Sequence, residues 1–265
     1  MIHSLYISFT RYKIGEFDPA FTLRNYERIL GDSLFWNGFT VLLMIGAIQL
    51  PITVLMSLAL AAIIYHGIRG GKIFNIGYFT PTVSSLVVAA TIWAAILNPA
   101  YGILNHLLRA AGLPPQDWLG RLIQISLMNV INWRWFGWYV VIVFAGMSAI
   151  PIDLYESAKI DGSGRIKTFR RITLPLLQPT LMYIIFVSII SVVNLFAEPY
   201  IMLGGSTFSS QTARSRLIYT PVMYLYDVAF RYFNFGYSAA LSWIVFIIGF
   251  LSSFLVLRKS AFMRI

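Results

Sequence analysis

The sequence predicts an all-α fold, a polytopic bundle of transmembrane helices. Three observations lead there. Of 265 residues, 58% are hydrophobic and only 11% charged, with a mean hydropathy of +0.74, whereas soluble domains carry about 25% charged residues. Five apolar runs are each long enough to cross a hydrocarbon core, which takes about 20 residues. Lipid offers no partner to backbone polar groups, so such runs must close their hydrogen bonds internally as helices, and their length excludes the short alternating strands of a barrel.

The runs come in order. Residues 1–33 form an N-terminal extracytoplasmic segment, in which Met1 to Thr10 reads as the end of something apolar. Leu34 to Ile64 follows, with Gln49-Leu50-Pro51 at its middle; it is too short for two spans and reads as one tilted or kinked helix. Phe79 to Leu97 is the second run. Leu122 to Ile150 is the third, interrupted by Asn129, Asn132 and Arg134. Leu181 to Leu203 is the fourth, with Asn194 and Glu198 inside, and Tyr237 to Leu257 is the fifth. Residues 34–258 thus make the transmembrane domain and residues 259–265 a cytoplasmic tail. Ten Lys/Arg lie on the side of Tyr65–Ile73, Pro151–Ile172 and the tail, nine on the other. The first side's loops are far shorter, so its basic density is higher and it should face the cytoplasm.

Composition excludes several chemistries. There is no cysteine, hence neither a disulfide framework nor a thiolate metal site. The net charge of +10 suits basic loops against anionic lipid rather than nucleic acid, given so much apolar sequence. Gly67 to Ile73 (G-I-R-G-G-K-I) superficially looks like a phosphate loop, but it has three residues between the glycines and Ile73 where a Mg²⁺-binding Ser/Thr is needed. No hydrolase or metalloprotease motif occurs. The chain is expected not to hydrolyse ATP itself.

One polar island stands out. Tyr155 to Pro179 carries five of the twenty Lys/Arg residues between two apolar runs and has the layout of two short helices joined by a turn. Asp153 can cap the first helix, with Glu156 three residues on, and Leu154 and Ala158 share a face. Asp161-Gly162 stops that helix, since glycine takes a left-handed turn at no steric cost. Ser163 can cap the second, in which Ile166, Phe169 and Ile172 lie three apart. Leu174-Pro175 marks re-entry into the membrane. An ordinary amphipathic loop carrying topology signals explains the pattern as well as a docking surface does.

These residues resemble the EAA loop of ABC-importer permeases: Glu156-Ser157-Ala158, then Gly162, then Ile172-Thr173-Leu174-Pro175. Ser157 replaces the family's first alanine. Ala145-Gly146-Met147 to Ile150-Pro151, Phe196-Ala197-Glu198-Pro199-Tyr200 with Gly204-Gly205, and Phe235-Gly236-Tyr237-Ser238-Ala239-Ala240 are similar to further segments of the carbohydrate (maltose and glycerol-phosphate) type. The resemblance implies a type I importer permease in the cytoplasmic (inner) membrane that carries a sugar, oligosaccharide or polyol. It implies four kinds of partner: a second permease, two ATPase subunits that hold the ATP and Mg, an extracytoplasmic solute-binding protein, and membrane lipid. It also implies that Glu156, Ser157, Ala158, Asp161, Gly162, Arg165, Phe169, Leu174 and Pro175 couple the chain to the ATPase. A self-contained secondary transporter or channel is the alternative, and would show an inverted repeat.

Polar groups inside a span usually face a cavity or a partner, because a central charge costs about 2.5–3.5 kcal/mol on insertion scales. Asn132, Ser191, Asn194 and Glu198 are such groups. With Trp135, Trp138 and Tyr200 nearby they make a candidate solute path, since sugars take hydrogen bonds from amides and carboxylates and stack C–H faces on rings. Ser191 and Asn194 lie three apart, hence on one helical face, and Glu198 lies four further on. Interhelical hydrogen bonding explains each residue equally well. Members of the resembled family usually have six or more spans, so a further apolar helix is expected upstream of Met1, in the native or a longer related chain.

Overall fold

The computed structural model describes residues 1–65, 71–204 and 216–262. Residues 67–70 of the phosphate-loop-like stretch, Gly205 and residues 263–265 of the tail lie outside the described residues. In chain order the elements are α1 (Ile2–Ser8), β1 (Arg11–Lys13), β2 (Glu16–Asp18), α2 (Arg24–Leu30), α3 (Ser33–Tyr65), α4 (Gly71–Val83), α5 (Leu86–Ile96), α6 (Ile103–Ala110) and α7 (Ile123–Ser148). Then come α8 (Ile152–Ile160), α9 (Arg165–Thr168), a π-helical turn (Phe169–Thr173), α10 (Leu174–Leu176), α11 (Gln178–Val193), α12 (Ala197–Met202), α13 (Pro221–Phe230) and α14 (Phe235–Phe262).

Three described helices are long and apolar enough to cross a membrane: Ser33–Tyr65, Ile123–Ser148 and Phe235–Val256. The first runs unbroken through Pro51. The second and fourth apolar runs are not single helices. The second breaks at Ser84–Ser85, where the Ser84 N–H turns back to the Pro81 carbonyl (3.2 Å). In the fourth, α11 stops at Val193 and α12 begins only at Ala197. On its other side, the helix running to Leu176 meets α11 at a 61° bend.

The chain divides into two compact units whose boundaries fall inside α3, α7, α11 and α14 and at the break between α4 and α5. One comprises Met1–Ala47, Ser85–Ile131 and Ile190–Ser252. Its N-terminal segment is folded rather than a loose tail. The β1–β2 hairpin pairs Tyr12 with Phe17, and the Ile14 N–H donates to the Phe233 carbonyl (3.0 Å). Asp32 holds it in place. One carboxylate oxygen accepts from the Leu34 and Phe35 N–H groups and caps α3. The other accepts the hydroxyls of Tyr224 (2.5 Å) and Tyr237 (2.6 Å). In this unit α12 packs along α5.

The other unit comprises Ile48–Ser84, Asn132–Ile189 and Ser253–Ile265. Its core is Ala61, Tyr139, Val140, Val143, Met147, Ile150, Leu177 and Ile184. Lipid tails are as apolar as leucine, so contact area alone does not hold such helices together; close packing does. Gly137 shows this: a Cβ there would run into the Tyr78 carbonyl of α4. A Cβ on Gly146 would crowd Thr180 and Leu177 in the same way.

Candidate functional site

The polar island folds as two short helices, capped differently from the expected pattern. Pro151, not Asp153, is the N-cap residue of α8, and no side chain caps it. Pro151 has fixed φ and no N–H to satisfy, which suits a helix entry; Asp153 sits in the first turn, where its charge favours the helix dipole. Leu154 and Ala158, four apart on α8, share a helix face as expected, but only Ala158 is buried, Leu154 being 41% exposed, and Tyr155 turns inward beside it. The Tyr155 hydroxyl meets the Thr173 hydroxyl at 3.1 Å, and its ring lies 6.2 Å from that of Tyr65.

The stop at Asp161-Gly162 forms as expected. Gly162 has φ +66°. Its N–H reaches the Lys159 carbonyl (3.1 Å) and the Ser163 N–H reaches the Ala158 carbonyl (2.9 Å), the two bonds of a Schellman ending. The N-cap of α9 is Gly164, not Ser163. The π turn then replaces the regular helix on which the three-residue spacing of Ile166, Phe169 and Ile172 depended. Phe169 and Tyr155 pack against the core cluster, so Phe169 anchors the loop to the span bundle rather than facing outward. Glu156, Ser157, Asp161, Gly162, Arg165, Leu174 and Pro175 are exposed. So are two apolar tips on either side of the turn, Ile160 (86%) and Ile166 (78%). Nothing lies within 4 Å of where a Cβ on Gly162 would sit.

The candidate path residues fall into both units. In the unit holding the loop, the Asn132 side-chain amide oxygen accepts the Thr53 hydroxyl at 2.7 Å, an interhelical hydrogen bond of the kind that explains the residue equally well. Trp135 packs against the core and stacks under the Arg134 guanidinium, 4.6 Å from its ring; Trp138 is exposed. Thr53 belongs to a polar stripe with Gln49 and Ser57, all buried on α3 at four-residue spacing, which the apolar average of the first run conceals.

In the other unit the expected single face of Ser191, Asn194 and Glu198 does not exist, because the helix ends between them. The Asn194 amide donates to its own helix at the Ile190 carbonyl (2.9 Å), and the Thr220 hydroxyl takes the Leu195 carbonyl (2.7 Å). The Asn194 amide is a second donor on a carbonyl that already accepts the Asn194 N–H (3.1 Å), whereas the Thr220 hydroxyl stands in for a helical bond lost at the break. Glu198 is 5% exposed in the first turn of α12. Tyr200 stacks on Phe196 (5.2 Å) and meets Tyr226 edge-on (5.8 Å). Tyr226 belongs to α13, between the fourth and fifth apolar runs. Its signal is legible in Thr220-Pro221, an N-cap residue followed by proline at the first helical position: the Thr220 hydroxyl accepts from the Met223 N–H at 3.2 Å.

Comparison with known proteins adds the context. The family described as binding-protein-dependent transport system inner membrane component matches residues 54–259. The trehalose/maltose transport system permease protein MalF of Thermococcus litoralis is 29% identical over 93% of this chain and 81% of its own length. The lactose transport system permease protein LacF of Rhizobium radiobacter is 30% identical, covering 87% and 78% respectively. The arabinooligosaccharides transport system permease protein AraP of Bacillus subtilis is 28% identical over 96% of this chain and 80% of its own. A chain in the crystal structure of a bacterial ABC transporter that imports the acidic polysaccharide alginate superposes with a TM-score of 0.85, at 18% identity, over 98% of this chain and 88% of that one. At that identity the match speaks for the fold.

Proposed function

This chain belongs to the family of binding-protein-dependent transport system inner-membrane components, and from that membership we propose that it is one permease subunit of an ATP-driven carbohydrate importer. Its relatives are named for trehalose and maltose, lactose and arabinooligosaccharides, which supports a sugar or oligosaccharide as solute. In this reading a second permease completes the pathway, an extracytoplasmic binding protein delivers the solute, and two ATPase subunits hold ATP and Mg. The chain is the non-catalytic membrane subunit. Family membership disfavours the self-contained transporter.

The observation that carries the coupling role is the turn at Gly162. It is exposed, left-handed and open on its outer side, between the exposed Ile160 and Ile166. Ile160 and Ile166 are apolar groups that a partner's surface would take out of water. Glu156 offers a charge beside them, and Tyr155 and Phe169 tie the loop to the span bundle, so a push on the loop reaches the core. For the solute path, Ser191, Asn194 and the rings of Phe196, Tyr200 and Tyr226 supply polar groups and stacking faces at the break after α11. The test is uptake by the complex in liposomes over a panel of sugars, with ATP hydrolysis followed in parallel. Solute-stimulated hydrolysis and sugar uptake are expected; uptake that proceeds without any ATPase subunit would overturn the reading.

A further inference from the structure

We propose that the basic groove along α9 and the π turn binds the phosphodiester headgroup of an anionic phospholipid. The groove encloses about 1030 Å³ and is lined by Gly164, Arg165, Ile166, Lys167, Arg170 and Arg171. All four cations are exposed. Among the described residues no carboxylate lies within salt-bridge distance of any of them. Four like charges around one cleft repel each other, and a bound anion relieves that repulsion.

Position selects the anion. Arg170 and Arg171 precede the exposed Leu174 by three or four residues, about 4.5–6 Å at the rise of an α-helix. Leu176 is also exposed, and the chain then bends by 61° into the apolar α11. A bilayer's polar layer is about 5–7 Å deep on each side of the hydrocarbon. With Leu174 and Leu176 among acyl chains, the groove therefore sits at headgroup level. Arginine is suited to the task, since its planar fork takes two phosphate oxygens at once. Ile160 and Gly162 do not line this groove, whereas Arg165 and Ile166 border both it and the turn; Arg170 and Arg171, further along the chain from the turn, are the cations assigned to the headgroup. This inference rests on the chain's place in a membrane, not on the identity of its solute.

The test uses the full chain, purified in detergent from membranes containing phosphatidylglycerol and phosphatidylcholine, with retained lipid counted by native mass spectrometry. The wild type is expected to retain phosphatidylglycerol selectively. Each basic residue near an anionic surface contributes about fivefold in lipid affinity, so R170Q/R171Q should lower retention by about 25-fold. R170K/R171K should keep most of it, and R109Q/R121Q, on other loops, should leave it unchanged. Equal retention by wild type and R170Q/R171Q, with both still inserted and helical, would overturn the proposal. Displacement of the lipid by millimolar inorganic phosphate would also overturn it, pointing to a free-anion site. So would loss of a co-purifying ATPase with lipid retention intact, since the groove would then be a protein contact.

Discussion

Two residues concentrate what single side chains do here. Gly162 is left-handed with open space around it, so a side chain there meets no clash and costs only the backbone term, about 1–2 kcal/mol. Gly162→Ala and Gly162→Asp should therefore insert normally, with melting temperatures only a few degrees lower. Gly162→Asp, with charge and bulk on the docking face, should abolish solute-stimulated ATP hydrolysis; normal transport by that variant would remove the docking assignment. Asp32 is the counterpart in the other unit. Burial, and then the bond to Asp32, raise the Tyr224 hydroxyl above its ordinary pKa of 10. The folded state thus holds a proton that the unfolded chain releases above pH 10, so this contribution is full below pH 10 and fades as pH rises beyond it. Tyr224→Phe should cost about 2 kcal/mol, typical of a hydrogen bond to a charged group. Thermal melts across pH 8 to 11 should show wild-type stability falling above pH 10 and a shallower fall in the variant; parallel curves would deny Tyr224 that role.

At the level of elements, what the sequence disclosed and what it hid have separate physical causes. Apolar runs are legible because lipid admits one backbone solution, and all five locate helices. Their continuity is not legible. The break after Val193 is held by Thr220, 25 residues on in sequence, and no local pattern announces a partner that distant. The polar island is legible as helix–turn–helix because Gly162 is needed wherever the backbone turns left-handed. Its caps are misassigned because Asp153 and Ser163 are good capping residues whose neighbours, Pro151 and Gly164, occupy the positions instead. Helix α13 went unread although Thr220-Pro221 announces it, because few apolar residues precede it. Thr220 both caps α13 and braces α11. Thr220→Val should lose about 1 kcal/mol for the cap and about as much again for the unmet Leu195 carbonyl, whereas Thr220→Ser should recover both. Chemical unfolding in mixed micelles would measure it; a Val variant as stable as the Ser variant would mean that the break is held by packing alone.

For the whole molecule, the decisive feature is that coupling residues and most candidate path residues belong to different compact units. Glu156, Gly162 and Arg165 lie in one; Ser191, Asn194, Glu198 and Tyr200 lie in the other. Substitutions with no shared partners usually act independently. Two classes of defect should therefore separate cleanly. Asn194→Leu removes the amide that closes the end of α11 and a polar group offered to the solute, while leaving the loop's capping bonds intact. It should keep ATPase co-purification and basal hydrolysis at wild-type levels and lower uptake by about tenfold, roughly the 1.4 kcal/mol of one good hydrogen bond. Gly162→Asp should do the reverse, sparing solute binding and losing stimulation. Uptake and hydrolysis measured side by side on the reconstituted complex discriminate the two. If Asn194→Leu releases the ATPase as Gly162→Asp is expected to, the units do not divide the work, and the break after α11 belongs to the coupling machinery rather than to the path.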